Sequence, residues 1–145
     1  MTIGLGALAA ALAAGAAICV QSQLSGVLGR RLGSLESAFV VHLTGLALAS
    51  ILIVVVRGGN LGAWRTVHWT AYTAGLVGVG IVAAVSYAVP RLGLATTLTL
   101  TIVAQLLLGA LLDHFGWLGA TLHPVTPTRA LGIVVLLVGT WLIVR

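Results

Sequence analysis

Five apolar runs, each broken off by a cluster of glycine, proline or arginine, occupy this chain almost from end to end. They cover about residues 3–26, 35–56, 69–89, 94–112 and 130–144. A helix that spans a bilayer needs roughly 20 residues, within a range of about 17 to 25. The first four runs meet that length. The fifth holds only about 15 strictly apolar residues and reaches across if Thr128, Arg129 and Arg145 are included, the arginines extending their heads to the interface. In hydrocarbon every backbone N–H and C=O must be bonded within its own segment, so each run is expected to be a helix. The reading is an all-α integral membrane protein, a five-helix bundle in one transmembrane domain over residues 1–145.

Composition supports lipid as the solvent. The chain has 145 residues, 60% of them hydrophobic and 6% charged, whereas about a quarter of a soluble domain is charged. The net charge of +5 comes from seven basic residues against two acids, Glu36 and Asp113. In a soluble protein such a balance would point to nucleic acid. Here the arginines stand singly or as one pair between apolar runs, as interface anchors and topology determinants rather than a basic patch. Trp64, Trp69, Trp117 and Trp141 fall at or near run ends, as an aromatic belt requires. Cys19 is the single cysteine, so no intramolecular disulfide can form, and the residues before it lack the small residue expected at a lipidation site. The first run has no basic residue ahead of it and reads as a retained helix. No phosphate loop, catalytic triad, zinc motif or metal-ligand spacing occurs, which argues against enzyme activity and against a cofactor or metal.

Charge placement is more informative than charge content. With five spans, Arg57, Arg65 and Arg129 share one side of the membrane, and Arg30, Arg31, Arg91 and Arg145 share the other. Orientation follows an excess of Lys and Arg in short cytoplasmic loops. Three against four is close to a tie. Either the chain has one orientation set by features the count misses, or it inserts both ways and pairs as an antiparallel homodimer. Such a dimer would build from two copies the inverted repeat found within larger transporters.

Polar residues inside the apolar runs are the site candidates. Gln21 and Ser25, four apart, fall on one side of the first helix, with Ser22 beside them; Thr97, Thr101 and Gln105 form a line at the same spacing on the fourth. Threonine can bond its own backbone, but a glutamine amide near mid-span is costly and faces either a partner helix or a wet cavity. His42 can relay protons near neutral pH or bond a neighbouring helix. Glu36 fits the first turn of the second helix, where the dipole favours it and Ser34 can cap. Asp113 closes the fourth helix, where the dipole disfavours it. It either pairs with Arg129 or serves proton or substrate binding. Ala7, Ala11, Gly15 and Cys19, and likewise Ala71, Gly75 and Gly78, form small-residue stripes expected to pack within the bundle, with a dimer seam as the alternative.

Several pieces together resemble the YdcZ-like family of the drug/metabolite transporter superfamily. They are Gln21-Ser22, the Arg30-Arg31-Leu32-Gly33 turn, the Gly75/Gly78 segment, Pro90-Arg91-Leu92-Gly93, Gln105, and Asp113-His114-Phe115-Gly116 before a proline-containing loop. The family usually carries asparagine at the position of Ser25 and glycine at that of Ala104. The resemblance implies a half-size, five-helix transporter of the inner membrane, as a dual-topology homodimer or an oppositely oriented pair. The leading expectation is a secondary transporter moving a small molecule by alternating access, its cavity lined by Gln21, Ser25, Thr101 and Gln105, with His42 or Asp113 coupling an ion. Its partners would be the bilayer, a second copy of itself and the substrate, without nucleic acid. The alternatives are an uncoupled channel made from the same dimer, or an accessory subunit of a heterodimer.

Overall fold

The computed structural model describes residues 4–57 and 59–145. Its helices are α1 (Leu5–Leu32), α2 (Ser34–Val56), α3 (Ala74–Leu92), α4 (Leu94–Phe115) and α5 (Pro127–Val144). Two short 3₁₀ segments, Leu61–Thr66 and Trp69–Thr73, lead into α3, and a third, Trp117–Gly119, follows α4. Five helices are long and apolar enough to cross a membrane, the third counted from Trp69 to Leu92. They fall into two compact units, α1 to α3 and α4 to α5.

The helices overrun the expected boundaries, and the reasons are local. α1 continues past residue 26 through Arg30 and Arg31, because cations in a last turn complement the helix dipole. The turn that follows is Gly33 alone, at φ 114°, a conformation that glycine adopts without a Cβ clash. Likewise α3 runs through Pro90 and Arg91, and Gly93 at φ 83° is the whole connection to α4. Arg91 is held there by its own helix: its guanidinium donates to the Tyr87 carbonyl at 2.7 Å and lies 3.6 Å from the Tyr87 ring centre. α4 extends to Phe115, so Asp113 and His114 belong to its last turn. α5 starts at Pro127 rather than at residue 130 and reaches 18 residues. Pro127 needs no intrahelical donor at that position, and the Thr126 hydroxyl accepts from the Arg129 N–H at 3.3 Å.

One expected cap is corrected. Ser34 is the first helical residue of α2, the cap position belongs to Gly33, and no side chain caps it. The Glu36 carboxylate instead folds back over Gly33, where a Cβ would stand 3.0 Å from Glu36 Cδ.

The first unit is held by small polar residues. Ser22, Ser25 and Gly26 of α1, Ser37 and Ala38 of α2, and Ser86 and Val89 of α3 are buried. The Ser37 hydroxyl donates to the Ser25 carbonyl at 3.0 Å and lies 2.9 Å from the Ser86 hydroxyl, so one side chain bonds all three helices. Pro90 has no N–H and leaves the carbonyl four residues back, that of Ser86, without its helical donor. That carbonyl points at Gly29 of α1, where a Cβ would come within 2.6 Å of it. Glycine's missing side chain allows the approach. Close packing and bonds of this kind are what join helices in lipid, where apolar burial supplies no drive.

Large apolar side chains cover the outside, as expected where lipid is the solvent; Val54 is 71% exposed and Leu76 74%. The small-residue stripe of α1 is a correction: Ala7, Ala11 and Gly15 are exposed, and nothing lies within 4 Å of a Cβ placed on Gly15. The packing face of α1 is Ser22–Ser25–Gly26–Gly29, because only there do two other helices come close enough to need small residues.

Candidate functional site

The second unit carries an open groove of about 480 Å³ between its two helices. α4 contributes Gln105, Leu106, Gly109, Ala110 and Asp113; α5 contributes Arg129, Gly132, Ile133 and Leu136. Both sets follow the three-and-four spacing of one helix face. Gly109 and Gly132 have nothing within 4 Å of an added Cβ, so the groove is wide where they stand. Gln105 and Asp113 are eight residues apart, which separates them by about 12 Å along α4 at 1.5 Å per residue.

Asp113 and Arg129 meet across one end of this groove. Arg129 Nη2 donates to Asp113 Oδ2 at 2.9 Å, with the two side chains 46% and 34% exposed for Arg129 and Asp113 respectively. Each stands at the wrong end of its helix for the dipole: an anion in the last turn of α4 and a cation in the first turn of α5. Pairing offsets both placements. The same arginine donates through Nη1 to the His123 carbonyl at 3.2 Å, and the His123 N–H donates to the Asp113 carbonyl at 2.8 Å. The Val125 N–H donates to His114 Nδ1 at 3.1 Å. The α4–α5 connection is thereby tied down beside the charged end of the groove.

The remaining candidates lie elsewhere. Thr97 and Thr101 bond their own backbone, Thr97 to Gly93 O at 2.8 Å and Thr101 to Thr97 O at 2.7 Å, so their hydroxyls are already satisfied. Gln21 is exposed on α1, whereas Ser25 is 1% exposed inside the serine cluster. The two do not share a functional face: four helical residues advance past a full turn, and the packed line takes the small serine and excludes the long amide. His42 is part-buried in α2, its Nδ1 2.8 Å from the Ala38 carbonyl, and its Nε2 faces Gly78 of α3. Among the described residues no group of three or more His, Cys, Asp or Glu could hold a metal.

Sequence reasoning singled out Gln105 and Asp113 and offered the Asp113–Arg129 pair that the structure forms, but missed that all three line one groove. The signal was present as the eight-residue spacing on α4, with Gly109 midway. The roles of His114 and His123 in fastening the connection left no sequence signal beyond their nearness to Asp113.

The family described as "Putative inner membrane exporter, YdcZ" matches residues 6–142. No curated protein and no solved structure matches the chain significantly. That description is of an exporter of the inner membrane, and the match runs through all five apolar helices. The chain is therefore a multi-pass inner-membrane protein and belongs to the YdcZ family of the drug/metabolite transporter type.

Proposed function

We propose that this protein is a half-size secondary transporter in which two oppositely oriented copies enclose the substrate path. The observation that carries the proposal is the near tie of arginines: three on the side shared by the α2–α3 and α4–α5 connections, four on the other. Nothing in that balance selects one orientation, and an odd number of spans lets two copies present opposite faces to a shared path.

The α4–α5 groove is the proposed substrate contact. It offers an amide at Gln105, a charged pair at Asp113–Arg129, and apolar walls between them. A mostly apolar cleft with few convergent polar groups is the usual form of a small-molecule site. Gln21, exposed on α1, is the second polar contact available to a solute. Alternating access would exchange the roles of the two copies.

The test is topology mapping in native membranes at low expression, with reporters at each terminus. Detection of both termini on both sides supports dual insertion, and crosslinking in antiparallel register supports the dimer. A single orientation removes the homodimeric model and favours an accessory subunit with an oppositely oriented partner.

A further inference from the structure

A proton-driven exporter needs a group that takes up and releases a proton within the membrane, and the carboxylates of this chain are poorly placed for it. Glu36 is in the first turn of α2 and Asp113 is paired with Arg129 in the last turn of α4. His42 lies deeper. It is eight residues into α2 from Ser34, about 12 Å along the helix.

The bond to Ala38 determines its tautomer. A carbonyl can only accept, so at 2.8 Å His42 Nδ1 must carry a hydrogen and donate it. In the neutral ring Nε2 is then the bare nitrogen. It faces α3 at Gly78, where an added Cβ would stand 3.2 Å away. A larger residue at 78 would crowd Nε2; glycine leaves room for the ring. The other titratable or charged groups on these helices are Cys19, Arg30 and Arg31 on α1, Glu36 on α2, and Tyr87 and Arg91 on α3. The arginines stand in last turns, and Glu36 is six residues away, about 9 Å along α2. No carboxylate on α1 or α3 competes for the proton or pairs with the ring.

We propose that His42 Nε2 is the proton-coupling site of this transporter, a role that rests on the secondary-transport reading above. A proton from water on one side forms the Nε2–H bond and leaves an imidazolium still anchored to Ala38 through Nδ1. When access switches, that Nε2–H bond breaks and the proton leaves to water on the other side. The ring neither flips nor loses its anchor during the cycle, because the two nitrogens have separate tasks.

The experiment uses the full chain in liposomes of phosphatidylethanolamine and phosphatidylglycerol, with ¹⁵N-labelled histidine observed by solid-state NMR as pH is stepped from 8.5 to 5. His42→Asn identifies the His42 signals by difference and also serves as the functional variant, since its amide nitrogen can keep the Nδ1 bond to Ala38 but cannot take a second proton. The expected result is a neutral ring protonated on Nδ1 that gains a proton on Nε2 as pH falls. Proton uptake after a pH jump should drop by one per protomer in His42→Asn. A neutral ring protonated on Nε2, a ring that stays neutral to pH 5, or unchanged uptake in the variant overturns the proposal. If that variant does not fold, replacing His68, His114 and His123 by asparagine leaves His42 as the single labelled ring, and its tautomer and titration still decide. A titrating His42 in a chain of single orientation would sink the antiparallel dimer and leave the proton site standing; an antiparallel dimer with a silent His42 would sink only the coupling.

Discussion

The contact between Gly29 and the Ser86 carbonyl makes a quantitative prediction about how the first unit is held. In Gly29→Ala the new methyl meets backbone: Ser86 O at 2.6 Å, Ser86 Cβ at 3.0 Å and the carbonyl carbon at 3.1 Å. None of these atoms can move without displacing α3. Overpacking costs about 1–3 kcal/mol, and the rigid neighbour puts this case at the upper end. Alanine returns about 1 kcal/mol of helix propensity over glycine. The net expectation is a loss of about 2 kcal/mol. Gly26→Ala is the control. Its methyl meets the Val89 side chain, 2.6 Å from Cγ1 and 3.0 Å from Cβ, rather than a backbone carbonyl, so the variant should cost less, roughly 0–1 kcal/mol, and Val89→Ala should relieve the closer of the two contacts. Ser86→Ala cannot relieve Gly29→Ala, because the colliding carbonyl remains. Pro90→Ala can: it restores the N–H that bonds Ser86 O and draws that carbonyl back toward its own helix. The measurement is reversible unfolding in mixed micelles, followed by helical circular dichroism, on the two single variants and their double. A double variant at least about 1 kcal/mol more stable than additivity predicts supports the account. Strict additivity, or a Gly29→Ala protein as stable as Gly26→Ala, refutes it.

Three further outcomes follow from the second unit and the charge balance. Asp113→Asn should cost no more than about 1 kcal/mol in the same unfolding assay, since a half-exposed pair is screened by water; a larger loss would mean that the pair is buried in the assembled protein. His114→Ala removes the acceptor of the Val125 N–H, and hydrogen exchange at Val125 should rise about tenfold, the equivalent of one net hydrogen bond of roughly 1.4 kcal/mol; unchanged exchange would show that another group holds the connection. Replacing Arg30, Arg31 and Arg91 by alanine leaves three arginines against one, and reporters should then find the N-terminus mostly in the cytoplasm; a distribution unchanged from the wild type would mean arginine count does not set the orientation.

The five spans were legible because lipid imposes a rule on whole segments: length, apolarity and internal backbone bonding are all written in composition. Boundaries were less so. Arg30-Arg31 and Pro90-Arg91 look like loop residues, yet each belongs to a last helical turn where a cation is favoured, and a single glycine at 33 or 93 makes the turn. On α1 the sequence reading picked out one small-residue line, and it is not the one that packs within the first unit. Ala7–Ala11–Gly15 has the cleaner period, while Ser22–Ser25–Gly26–Gly29 does the packing. What separates them is Pro90, far away in sequence, which frees a carbonyl that only a bare Cα can receive.

For the site the limit was different in kind. Gln105 and Asp113 stand out on their own, since each is costly where it lies. Arg129 reads as a partner for Asp113 from their shared loop, but only the start of α5 at Pro127 places the arginine in a first turn, where the dipole opposes it, and on the groove. Two charges held against their helix dipoles face each other, and their pairing fastens the α4–α5 connection. A serine or asparagine at either position would cap or bond the connection without that electrostatic cost. In the transport reading proposed above, an ion pair adds what such a neutral group would not, a charged end to the groove that is part-exposed and within reach of a solute.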